Sequence, residues 1–120
     1  MYELSFEKLV VFQVAAELVA ECQRVIDQLG RGKSKIKDQL HRASTSVLLN
    51  IAEGAGEFSP GDKAHSYRIA LRSACECVGI FVVLVKLGWR QPADLFAARE
   101  LTVRVVSMLT KLIHSVEARV

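Results

Sequence analysis

The spacing of apolar residues constrains this chain most, because they recur every two to four positions along four long segments. Leu40, Ala43, Val47 and Ile51 are an example, and they fall on one face of an α-helix because that helix has 3.6 residues per turn. No segment shows a competing strand pattern. The spacing therefore predicts an all-α protein.

Capping and stop signals separate the four segments. Ser59 to Asp62 supply a hydroxyl cap, a proline at the first helical position and a carboxylate in the first turn. Gly30 and Gly88 follow apolar runs as stop signals, and Ser5 is a plausible first cap. The predicted helices are residues 6–29, 35–54, 60–87 and 92–118. Short loops favour antiparallel neighbours, so residues 1–120 are predicted to form one antiparallel up-and-down four-helix bundle.

Composition and the first residues indicate the size of the core and the expected location of the protein. Apolar residues make up 51% of it, which is ample for one packed core. The start at Met1-Tyr2-Glu3 is acidic, unlike a signal peptide, and no apolar stretch approaches the roughly 20 residues needed to cross a bilayer. We therefore expect a cytoplasmic protein that does not interact with membranes.

Residues that commonly carry catalysis or bind metals are scattered. His41, His65 and His114 lack the Glu-x-x-His spacing of di-iron bundles and form no recognisable nucleophile arrangement with serine or cysteine. The three cysteines lie in apolar helical runs, where they behave as small hydrophobic residues. We expect no enzyme activity, metal, cofactor or disulfide.

A cluster of cations is the main hint of a binding surface. The net charge of +3 permits nucleic-acid binding without requiring it. The candidate phosphate contacts are Arg31, Lys33, Lys35, Lys37, Lys63 and Arg68. A solvated loop is the alternative interpretation of the first four. Trp89 is expected to close the end of the bundle, and stacking on a base is its alternative role.

Polar residues at helical spacing form a second candidate site, here called the polar seam. Its members are Arg42, Asn50, Glu53, Arg72 and Glu76. Pairing between helices two and three would fix their register, as buried polar pairs do in other bundles. An enzyme built on these residues would instead require them to line an open cavity.

Helix three has apolar residues on the side opposite its predicted core stripe. They are Ile69, Ile80, Val83 and Leu87. A monomer would expose this surface, whereas a second copy would bury it at roughly 25 cal/mol per Å². The pattern predicts a homo-oligomer with these residues in its interface.

Several motifs resemble a known family. Helix two contains Gln39-Leu40-His41-Arg42-Ala43-Ser44, then Ser46 and Asn50-Ile51-Ala52-Glu53-Gly54. The likeness continues through Ser59-Pro60, Tyr67, Ile69-Ala70, Ser73 and Glu76, and the opening Phe6-Glu7-Lys8-Leu9 is similar. Together these motifs resemble the bacterial four-helix-bundle family encoded in intervening sequences of 23S ribosomal RNA genes.

The resemblance implies a homo-oligomer, with a pentamer favoured, as in the related accessory protein of diversity-generating retroelements. That relative associates with RNA and a reverse transcriptase through a basic surface. His41 and Glu57 depart from the family pattern, which more often has basic residues there. Two hypotheses follow: a non-enzymatic oligomer that binds RNA or another nucleic acid, or a scaffold that docks a partner protein without nucleic acid.

Overall fold

The computed structural model describes residues 9–119, which form four α-helices joined by short loops. These are α1 (Val10–Gln28), α2 (Ser34–Gly56), α3 (Pro60–Lys86) and α4 (Phe96–Glu117), with a 3₁₀ helix at Pro92–Leu95 directly before α4. Consecutive helices pack against each other and α1 also packs against α4, which closes an up-and-down bundle. Within the described residues no strand occurs, and the predicted all-α fold class is confirmed.

The capping signals mark most helix ends correctly. The Ser59 hydroxyl accepts a hydrogen bond from the Asp62 backbone N–H at 3.1 Å, as predicted for the start of α3. Gly30 and Gly88 follow α1 and α3 with φ of 76° and 73°, the left-handed conformation that favours glycine. The predicted cap at Ser5 and the first residues of helix one lie outside the described residues.

The start of the fourth helix differs from the prediction. The fourth helix was predicted to begin at 92, but residues 92–95 form a 3₁₀ helix and the α-helix begins at Phe96. The Asp94 carboxylate accepts a hydrogen bond from the Gln91 backbone N–H at 2.9 Å, which stabilises this tighter first turn. The chain therefore enters α4 through a capped 3₁₀ turn.

The core consists of two clusters along the bundle. One includes Val14, Ile51 and Tyr67, and the other includes Leu18 and Phe81. The apolar stripes predicted for α1 and α2 supply buried residues to both clusters. Burial of these stripes is the main favourable contribution to the stability of the bundle.

The structure corrects the outer face assigned to helix three. Ile80 is only 6% exposed and packs in the core, whereas Val83 and Leu87 are 40% and 54% exposed. Ile69 is half-buried. Ile80 follows Cys77 by three residues and precedes Leu84 by four, so it joins their buried stripe. The prediction that Ile80 lies on the outer surface is therefore wrong.

Candidate functional site

Antiparallel packing brings the α1–α2 loop and the α3–α4 loop to the same end of the bundle. We call this the basic end, and it comprises Arg31, Lys33, Lys35, Lys37 and Trp89. The Lys33 ammonium lies 5.1 Å from the centroid of the Trp89 ring, a cation–π distance. The two loops therefore form one surface.

The four cations of the basic end differ in their availability. Lys37 donates a hydrogen bond to the Gly30 carbonyl oxygen, and Lys33 stacks on Trp89. Arg31 and Lys35 are exposed, and their side chains have no ion pair or hydrogen bond with another described residue. Trp89 is 39% exposed, so part of its ring is open to solvent. The basic end thus presents two free cations beside a partly exposed aromatic ring that Lys33 contacts on one face.

The remaining two predicted phosphate contacts lie at the opposite end. Early residues of α3 lie beside the last turn of α2 because these helices are antiparallel. The Lys63 ammonium donates to the carbonyl oxygens of Gly54 and Ala55 at 3.2 and 3.0 Å, and Arg68 pairs with Glu117. The structure does not bring the six predicted cations onto one surface.

The polar seam is held by small polar groups. The Ser46 and Ser73 hydroxyls share a hydrogen bond of 2.9 Å between α2 and α3. Asn50 donates from Nδ2 to the carbonyl oxygen and hydroxyl of Ser46 at 2.9 and 3.1 Å. Asn50 therefore orients the serine that bridges the two helices. Sequence analysis named Ser46 and Ser73 as family positions but missed their contact.

The charged members of the polar seam remain at the surface. These are Arg42, Glu53, Arg72 and Glu76, all exposed. Ion pairs between described residues join Glu21 to Arg24, Arg68 to Glu117 and Arg90 to Asp94. The expected Arg–Glu pairing between α2 and α3 does not form among the described residues, because these side chains are exposed to solvent.

A glycine of the family motif has a packing role. A Cβ atom added to Gly54 would lie 2.6 Å from Cε1 of Tyr67, well inside van der Waals contact. The Tyr67 ring therefore lies directly on the α2 backbone. This close approach explains why a glycine ends the Asn50–Gly54 motif.

Several exposed apolar residues lie on the surface formed by α3 and α4, and others, such as Leu49 and Phe58, lie elsewhere on the bundle. We call this surface the α3–α4 face, and its members are Val82, Phe96 and Val103, each of which lines a cleft with Arg99. Val83 and Leu87 are also exposed, but on the flank of α3 nearer α2. A groove of about 330 Å³ adjoins it, lined by Phe81, Val82, Val85, Lys86, Pro92, Leu95 and Arg99. Sequence analysis missed the α4 half, although Phe96 and Val103 lie outside the core stripe of α4.

The cysteines occupy two environments. Cys22 and Cys77 are buried in one core cluster, whereas Cys75 is exposed. A hydrogen bond with Cys77, together with burial, raises the pKa of the Cys22 thiol far above its usual value. Cys22 therefore stays a neutral core group. Among the described residues, no three His, Cys, Asp or Glu side chains cluster as metal ligands would.

These features define a small helical-bundle protein with a basic end and an exposed apolar face. The family model for the 23S rRNA-intervening sequence protein matches residues 7–111, and the chain belongs to this family. The family resemblance of the sequence motifs is therefore confirmed.

Structural comparison agrees on the fold. A crystal structure of a protein of unknown function from the S23 ribosomal protein family of Bacteroides thetaiotaomicron is similar, with a TM-score of 0.80 at 20% identity. The match covers 88% of this chain and 96% of that one. No curated protein shows significant sequence similarity. In the part of the chain that the structure describes, no helix is long and apolar enough to cross a membrane.

Proposed function

We propose that this protein is a non-enzymatic homo-oligomer that binds RNA through its basic end and acts in the cytoplasm. The observation that carries the proposal is the combination of unpaired Arg31 and Lys35 with the accessible Trp89 ring. Cations contact phosphates, and an aromatic ring stacks on an unpaired base. The family's link to an intervening sequence of ribosomal RNA supports RNA as the nucleic acid.

The α3–α4 face supports self-association. Phe96 and Val103 are 66% and 53% exposed, and they share this surface with Val82. Covering these side chains with a second copy would remove apolar surface from water, which favours association. The family resemblance favours a pentamer. In a ring whose axis runs along the bundles, every subunit would present its basic end on the same side.

The groove beside the α3–α4 face favours one alternative. Its apolar walls and the two cations Lys86 and Arg99 would suit a partner segment with apolar and acidic side chains. The protein would then be a scaffold for a partner protein, and the cations of the basic end would serve solubility.

Purification without nuclease tests the proposal directly. We expect an oligomer by light scattering, carrying nucleic acid that dissociates as salt increases, because phosphate contacts release counterions. A monomer would contradict self-association. An oligomer that retains no RNA at low salt, either copurified or added, would favour the scaffold.

Two double variants test whether the basic end is the RNA-binding surface. Replacing both Arg31 and Lys35 with Gln should weaken binding of an RNA hairpin at least roughly tenfold and lower its salt dependence by about two phosphate contacts. The control replaces Arg104 and Lys111, exposed cations of α4, with Gln. Equal loss in both variants would indicate a net-charge effect and would contradict binding at the basic end.

A further inference from the structure

A second cleft lies at the end of the bundle opposite the basic end. It has a volume of about 340 Å³ and is lined by Leu9, Ala55, Lys63, Tyr67, Leu112, Val116 and Arg119. Its walls come from the start of α1, the end of α2, the first turns of α3 and the end of α4. Most of the lining is apolar, and its three polar side chains are all hydrogen-bond donors.

The Tyr67 hydroxyl has no hydrogen-bond partner among the described residues. The side chain is nevertheless only 3% exposed. Buried tyrosines usually satisfy this group, because an unpaired polar atom costs free energy. The hydroxyl is not sealed in the core, so it meets the cleft. A bound acceptor would satisfy it.

Two cations add positive charge beside this hydroxyl. Lys63 uses two of its three ammonium protons on the carbonyl oxygens of Gly54 and Ala55, which leaves one donor. Arg119 has no ion pair with a described residue. Burial raises the pKa of Tyr67, and the positive charge of Arg119 opposes this shift. Both side chains line the cleft, so the guanidinium and the phenol share one site.

We propose that this cleft binds a small carboxylate with an apolar tail. The carboxylate would accept hydrogen bonds from Tyr67, Lys63 and Arg119, while the tail would pack on Leu112 and Val116. A charge-assisted hydrogen bond is stronger than a neutral one, so the anion supplies specificity. The site does not depend on the proposed RNA function, since none of its residues belongs to the basic end.

Hexanoate, followed by NMR titration of backbone amides on the full chain, tests the site. We expect saturable shifts at residues around the cleft at millimolar hexanoate. Hexanol has the same tail without charge and acetate has the charge without the tail, so both should bind at least roughly tenfold more weakly.

Tyr67→Phe and Arg119→Gln should each weaken hexanoate binding about tenfold, whereas Arg104→Gln on the outer surface of α4 should not. Tyr67→Phe removes only an unpartnered hydroxyl, so the variant should unfold at the same temperature as the original protein or higher. Equal binding of hexanol, unchanged affinity in both cleft variants, or no binding of hexanoate at millimolar concentration would each overturn the proposal.

Discussion

Ile80→Glu should leave the protein largely unfolded. Ile80 is 6% exposed and packs in the same cluster as Phe81 and Leu84, so glutamate would place a carboxylate without a partner in the core. Burying such a group costs several kcal/mol, and total stabilities are typically about 5–15 kcal/mol. Circular dichroism should show loss of helix, or a melting temperature far below that of the original protein.

Val83→Glu is the matched variant because it makes the same change three residues later, at a position that is 40% exposed. We expect it to remain helical. If the exposed apolar surface of α3 around Val83 lies in the subunit interface, light scattering should show smaller species, since a carboxylate would be desolvated there. A folded variant of unchanged mass would exclude Val83 from the interface, and a folded Ile80→Glu would contradict the core assignment.

Gly54→Ala should destabilise the protein by about 1–3 kcal/mol, although alanine is the better helix former. The new methyl group would meet the Tyr67 ring at 2.6 Å, and that ring is held in the core. Either the ring or the α2 backbone must move. Urea unfolding followed by circular dichroism measures the change.

Gly56→Ala is the control, because no neighbouring atom lies within 4 Å of the added Cβ. This substitution should be neutral or stabilise by up to about 1 kcal/mol. Combining Gly54→Ala with Tyr67→Leu should cost less than the sum of the two single changes, since the smaller side chain removes the clash. Strict additivity would show that the two residues do not meet.

The parts of the fold that could be predicted were those controlled by local chemistry. Ser59, Pro60 and Gly88 act within a few residues of themselves, so their sequence context was enough to locate the ends of α3. The apolar stripes of α1 and α2 were also predictable, because their buried residues recur every three or four positions.

Helix α3 was harder because its second half is apolar on nearly every side. Ile80 and Val83 have similar hydropathy, and only contact with the neighbouring helices shows which one is buried. The sequence was equally unable to predict which polar side chains form hydrogen bonds across the polar seam. The sequence pattern favoured Arg–Glu pairing across the polar seam, whereas packing brought Ser46 and Ser73 together and left the charges in water.

The cleft could not have been found from local patterns. Tyr67 and Arg119 are far apart in the chain and line the same cleft only because α3 and α4 are antiparallel. The basic end was partly visible as a charge cluster, but its relation to Trp89 depends on two loops that meet in three dimensions.

The antiparallel arrangement also keeps the two ends of the molecule electrically independent. Helix α2 alone has 23 residues, about 34 Å of rise, between the end that carries Lys35 and the end that Lys63 caps. Mobile ions attenuate the field of a surface charge over about 8 Å at physiological ionic strength. A charge gained or lost at the basic end would leave the electrostatic potential at the opposite end nearly unchanged. Mutations could therefore alter the basic end without changing the cleft near Lys63.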